Sequence, residues 1–184
     1  MPAIVGLKKS FASIPWCSEL LNNPDVEACI PPCRASRKDI TYELWEGTLN
    51  TSNTIPEFLA LYTKTEEHNS RIHNIKLLAN LNNGLDGFPG VCHGGMVATL
   101  LDESMVSLIL INVGRGALIC PWYGTVSLNI LFQKPVKTPA TVVVAVKLDK
   151  VEGRKLCITA CLQDGSGKAL AKASAVFVGL DGKL

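Results

Sequence analysis

One short stretch of this chain has residue types and spacing that can do chemistry: His93-Gly94-Gly95, followed by adjacent carboxylates at Asp102 and Glu103. A glycine-rich helix start presents free backbone N–H groups and the positive end of the helix dipole. The helix after it is apolar on nearly every side as far as Val113, the mark of a buried helix. A carboxylate in such a helix is costly unless something pairs with it or uses it. One pole can therefore polarise a carbonyl while a base about two turns away removes a proton, which outlines an acyl-transfer site.

Helical spacing separates the two acids. Glu103 shares a stripe with Thr99 and Ser107, a narrow polar seam in which it is solvated or hydrogen-bonded. Asp102 lies on the stripe of Gly95, Ala98, Val106 and Ile109 and has no polar companion on its own helix. This singles out Asp102 as the working base. Glu103 is the second candidate, and a hydrogen bond across a subunit interface is the plain structural reading of Asp102. His93 either acts on substrate or orients the glycine turn through hydrogen bonds. Gly94 and Gly95 either avoid a clash with a sheet or offer an N–H to a developing oxyanion.

The elements that must position these groups follow from periodicity and turn residues. The helix is expected over 93–112, stopping near Gly114 and Gly116. A strand is expected over 71–81, then a loop dense in turn residues. After the helix come strands over 117–120, 123–132, 141–151, 156–163 and 169–178, with hairpin turns at 151–154 and 163–167. Residues 1–60 read as irregular and proline-punctuated. Single helical turns are expected at 18–21 and 55–62, and a strand at 40–45. The order implies an α+β fold in which a curved antiparallel sheet wraps one long central helix. An N-terminal arm over 1–65 precedes a domain over 66–184.

Composition narrows the class. The 184 residues are 47% hydrophobic and 18% charged with a net charge of +2, which suits a compact domain and gives no electrostatic footprint for nucleic acid. The longest apolar run, 105–113, is too short to span a bilayer, so no membrane partner is expected. Seven cysteines without a secretory leader read as reduced thiols in a cytoplasmic protein. Cys29 and Cys33 lack a second pair at metal spacing, so neither metal nor cofactor is expected. His68 and His73 lie in a polar stretch, and Gly182-Lys183-Leu184 is only a weak peroxisome-like ending.

The His93-Gly94-Gly95 turn with Asp102 nine positions after the histidine resembles the helix motif of hotdog-fold acyl-CoA thioesterases, the phenylacetyl-CoA thioesterase and thioesterase superfamily type. The similarity extends through the 123–136 segment beginning Tyr123-Gly124-Thr125, through Val151-Glu152-Gly153-Arg154-Lys155, and through the closing 169–178 segment. It covers roughly residues 70–180. The Ser13-Ile14-Pro15-Trp16-Cys17 arm is similar to fungal members, some in secondary-metabolite pathways. The resemblance implies a hotdog fold, Asp102 as general base or nucleophile, and the Gly94 N–H as oxyanion donor. It also implies that Thr125 takes the place of a serine that holds the nucleophilic water in some relatives. Some relatives carry an asparagine six residues before the histidine; Gly87 stands there.

The implied substrate is an acyl-CoA or acyl-carrier thioester, hydrolysed to free acid and thiol. Gly95 would lie against it, and Lys134, Lys137, Arg154 and Lys155 are candidates for its phosphates. Two other readings stay open: a pathway-specific lyase, isomerase or cyclase on a polyketide-like substrate, and a non-catalytic acyl-binding protein. An antiparallel sheet around one helix leaves two open edges rich in β-branched residues, so a homodimer or dimer of dimers is expected. The resemblance implies sites shared between Gly94 of one chain and Asp102 of the other.

Overall fold

The computed structural model describes residues 2–35, 42–65, 67 and 69–180. Its long helix, α3, spans Gly94–Gly114. The helices before it are α1 (Pro2–Ala12) and α2 (Pro15–Leu21). Strands β1 (Val26–Cys29), β2 (Phe58–Thr63) and β3 (Asn74–Leu81) also precede α3. Four long strands follow it: β6 (Trp122–Phe132), β7 (Ala140–Glu152), β8 (Lys155–Gln163) and β9 (Ala169–Leu180). Together these seven strands form one antiparallel sheet in the order β1-β2-β3-β7-β8-β9-β6. A small ladder of β4 (Asp86–Phe88) and β5 (Val91–Cys92) leads into the helix. This is the expected α+β hotdog arrangement, a curved sheet around a central helix.

The inner face carries the main core. Leu77 and Ile75 of β3, Val142, Val144 and Val146 of β7, and Ile158 of β8 close on Leu100, Leu101, Met105 and Leu108 of α3. With 21 residues and a mean hydropathy of 1.6 over its most apolar 18, α3 is long and apolar enough to cross a membrane, unlike the short run expected from 105–113. Its packing inside the sheet accounts for that hydropathy instead. Near its end, Asn112 is fully buried and exchanges hydrogen bonds with both backbone groups of Ile72, at 2.8 and 2.9 Å. Those bonds fix the register of α3 against the chain entering β3. Gly116 closes the helix at φ +70°, as its position suggested.

The described residues up to 65 are more ordered than their prolines imply. Ile4, Leu7 and Phe11 recur at helical spacing on α1 and cover Leu59, Leu61, Leu78 and Val143 on the outer face. Residues 55–62 are not a helical turn: β2 lies between β1 and β3, with its first four residues buried. A strand buried on both faces has no period to reveal it, and Thr54-Ile55-Pro56 imitates a helix start. The strand expected over 40–45 fails where it can be seen, since Leu44–Thr48 is a wide helical turn that sets Trp45 on Phe58 with ring centroids 5.3 Å apart. Residues 40 and 41 lie outside the described residues, as do His68 and the 182–184 tail. Residues 117–120 form no strand, because the Ala117 N–H and carbonyl are taken by Asn112 O and the Arg71 guanidinium.

Candidate active site

His93 ends the β4–β5 ladder and caps α3 in an extended conformation, φ −61° and ψ 136°. Its Nδ1 accepts the Gly95 N–H at 2.9 Å, while its backbone carbonyl takes Met96 and Val97 N–H. The Gly94 N–H, the first of the helix, is left without an acceptor among the described residues, and Gly94 is exposed. The histidine therefore orients the turn and uses up one of two donors. A Cβ on Gly94 would meet only the Phe132 ring at an ordinary 3.7 Å, so crowding does not explain this glycine. At Gly95 and Gly87 a Cβ would come within 2.9 Å of the His93 ring. An asparagine at Gly87 would displace His93.

Asp102 is half-buried two turns further along. Its Oδ1 accepts the Thr125 hydroxyl from β6 at 3.1 Å, and Oδ2 has no hydrogen bond among the described residues. Burial raises its pKa above the ordinary carboxylate value, and the Thr125 hydrogen bond holds part of that rise back. The companion that α3 itself lacks comes from the neighbouring strand.

Glu103 is more deeply placed than a solvated polar seam allows. The tight turn Pro32–Arg34 packs over it, bringing the Cys33 thiol and the Arg34 guanidinium to its carboxyl. Burial pushes Glu103 up to about 7; the neighbouring Cys33 thiol and Arg34 guanidinium oppose the rise, and Asp102 adds to it, while its buried Oε1 has no hydrogen-bond partner among the described residues. Ser107, four residues on, is fully buried with no partner for its hydroxyl among the described residues. Arg34 is itself fixed by the carbonyls of Leu49 and Ile55 at 3.0 and 2.8 Å, and it covers the Trp45 ring at 5.9 Å. Glu103 thus joins the helix to the arm, a role invisible from helical spacing alone.

The basic candidates separate into two groups. Lys134 and Lys137 follow β6 beyond Phe132, at the Gly94 end, where Lys137 bridges to Val91. Lys168, which sequence reasoning passed over, sits beside Lys134, and its proximity lowers the Lys134 pKa. Arg154 and Lys155 turn the β7–β8 hairpin beside Gly179, near Trp122 at the other end of β6. Ten residues of strand, roughly 33 Å, separate the two ends. A concavity of about 980 Å³ lies elsewhere, on the outer sheet face, lined by residues such as Lys76, Lys147, Thr159 and Lys172. It contains neither Asp102 nor Gly94, so the chemistry is placed by the acid and the helix start.

Gly94 and Asp102 are eight residues apart on one helix, roughly 12 Å by helical rise. Each stands beside β6, Gly94 under Phe132 and Asp102 under Thr125. β6 is an edge strand, and Val126 and Phe132 on it are 66% and 54% exposed.

Residues 89–171 match the family model of the thioesterase superfamily. An acyl-coenzyme A thioesterase of Mus musculus, THEM4, is 37% identical over 98 residues, 53% of this chain and 39% of its own length. The chain thus spans well under half of that relative. The verlamelin biosynthesis protein B of a Lecanicillium species is 27% identical over 173 residues, covering 78% of this chain and 75% of its own. Among solved structures, a hypothetical thioesterase of Streptococcus pneumoniae with coenzyme A superposes with a TM-score of 0.54 at 14% identity, covering 68% of this chain and 88% of its own. That likeness is one of fold.

Proposed function

We propose that this chain, whose residues 89–171 match the thioesterase superfamily model, hydrolyses an acyl thioester, acyl-CoA or carrier-linked, to free acid and thiol. The observation that carries the reading is the Asp102–Thr125 pair beside β6, with an unused Gly94 N–H at the start of the same helix. Water attacks the thioester carbonyl carbon and passes a proton to Asp102, whose raised pKa makes it a stronger base. The carbonyl oxygen becomes an oxyanion facing the Gly94 N–H. Collapse of the tetrahedral intermediate breaks the C–S bond and releases the thiolate, which recovers a proton. With Thr125 holding Oδ1, Oδ2 is the atom that takes the water proton, or attacks the acyl carbon if Asp102 is the nucleophile.

The site is shared between two copies. One carbonyl cannot reach a donor and a base roughly 12 Å apart on a single helix. Antiparallel pairing of two β6 edges about the point between Leu128 and Asn129 sets Thr125 of one copy opposite Phe132 of the other. Asp102 then faces Gly94 of the second copy, and Arg154 and Lys155 approach the Lys134 end. The exposed Val126 and Phe132 supply apolar area for that contact. The similarity to a fungal biosynthesis protein over most of both chains supports a biosynthetic acyl group.

The test is thiol release from a panel of acyl-CoAs, with Asp102→Asn as control. Turnover lost in the variant supports hydrolysis at this site. Tight acyl-CoA binding without turnover in the unaltered protein supports a binding module, and a modified acyl product without free thiol supports a lyase or cyclase.

A further inference from the structure

The carboxylate of Asp86 has no part in the reaction just proposed, yet it is the hub of the loop that delivers Gly94. Its Oδ2 accepts the Gly90 N–H at 2.9 Å and the Asn83 amide at 3.3 Å, and its Oδ1 accepts the Thr138 hydroxyl. Around that hub, backbone bonds run from Cys92 N–H to Val136 O, from Thr138 N–H to Gly90 O and from His93 N–H to Leu85 O, at 2.8 to 3.1 Å. The 86–92 loop is thereby tied on one side to the segment after β6 and on the other to the chain entering it. Only His93 separates it from Gly94.

We infer that Asp86 is a positioning residue for the Gly94 donor, holding the loop and the 136–138 segment at one fixed separation. The inference rests on the hydrolytic reading for its catalytic consequence, though not for its geometry. A carboxylate suits the task because both oxygens accept, so one group serves donors on both sides; a side-chain amide has a single acceptor oxygen. The donors, Thr138 foremost, hold the Asp86 carboxyl below the usual carboxylate range, so it stays ionised and accepting at neutral pH. Donors aimed at an oxyanion must be fixed before the reaction, and a displacement of about 1 Å can reduce rate on the order of a hundredfold.

The test compares Asp86→Ala, Asp86→Asn and Thr138→Val by kinetics and by residue-resolved amide hydrogen exchange. In Asp86→Ala, exchange at Cys92 and His93 should rise by about tenfold or more, while the α3 amides beyond Leu100 keep their protection. The kcat should fall on the order of tenfold to a hundredfold with KM within about twofold. Asp86→Asn should recover part of both losses, and Thr138→Val, which leaves the loop sequence intact, should show a milder form. Unchanged exchange and kcat in all three would overturn the inference. So would a KM effect without a kcat effect, which means substrate contact, or protection lost evenly across the chain, which means general stability. If the unaltered protein releases no thiol, the hydrolytic reading fails, and the exchange data still decide whether Asp86 holds the loop.

Discussion

Thr125 on the edge strand donates its hydroxyl to Asp102 Oδ1 at 3.1 Å, giving this α3 acid a hydrogen-bond partner from a neighbouring strand. That bond keeps a half-buried carboxylate from rising as far as burial alone would take it. It also leaves Oδ2 without a hydrogen bond among the described residues.

Removing the hydroxyl should therefore change the pH profile as well as the rate. For Asp102 to act as base it must be ionised, so kcat/KM climbs as pH rises through its pKa and then levels off. Thr125→Val deletes the interaction that lowers that pKa, so the acid limb should move to higher pH. Thr125→Ser should restore the unaltered profile. A limb that stays in place in the valine variant would show that the hydrogen bond does not set the base.

The donor at the helix start can be tested without a side chain. Gly94→Pro deletes the N–H and should cost on the order of 10²–10³ in kcat. Gly94→Ala keeps it, and its methyl meets only the Phe132 ring at 3.7 Å, so near-normal rates are expected. Equal losses in both variants at unaltered melting temperature would point to crowding rather than to a lost donor.

Glu103 makes a prediction about stability. Its folded pKa lies near 7 against an ordinary 4.5, so the folded state holds its proton more tightly than the unfolded state. Its contribution is fully present below pH 4.5, is lost as pH rises to about 7, and is level beyond. Glu103→Gln keeps the size of the side chain beside the Cys33 thiol and removes the titration. The variant should match the unaltered protein at low pH and melt higher at pH 8, on the order of 2–4 °C, which corresponds to roughly 1 kcal/mol in a chain of this length. A constant difference across that range would place the ionisation elsewhere.

What the sequence reveals depends on how many faces an element buries. β7 to β9 carry one solvated face over much of their length, so alternation marks them to within a residue or two. β2 is covered by α1 and α2 outside and by the core inside, which erases the alternation that would have named it. The helix start and the two acids were legible because glycines and carboxylates are out of place in an apolar helix. The partners of those acids were not: Thr125 comes from 23 residues downstream and Cys33 and Arg34 from an arm whose path no local pattern encodes. Asp86 was visible as a residue seven positions before His93, but its donors at Gly90 and Thr138 appear only once the loops close.

The central claim is that one site takes its base from one copy and its donor from another. Asp102→Ala and Gly94→Pro are each expected to be inactive alone. Co-folded and purified as a verified mixed dimer, they should regain up to half of the unaltered activity, because one of the two sites then has both groups intact. No recovery in such mixed dimers, or full activity in a species that sediments as a monomer, would contradict the account.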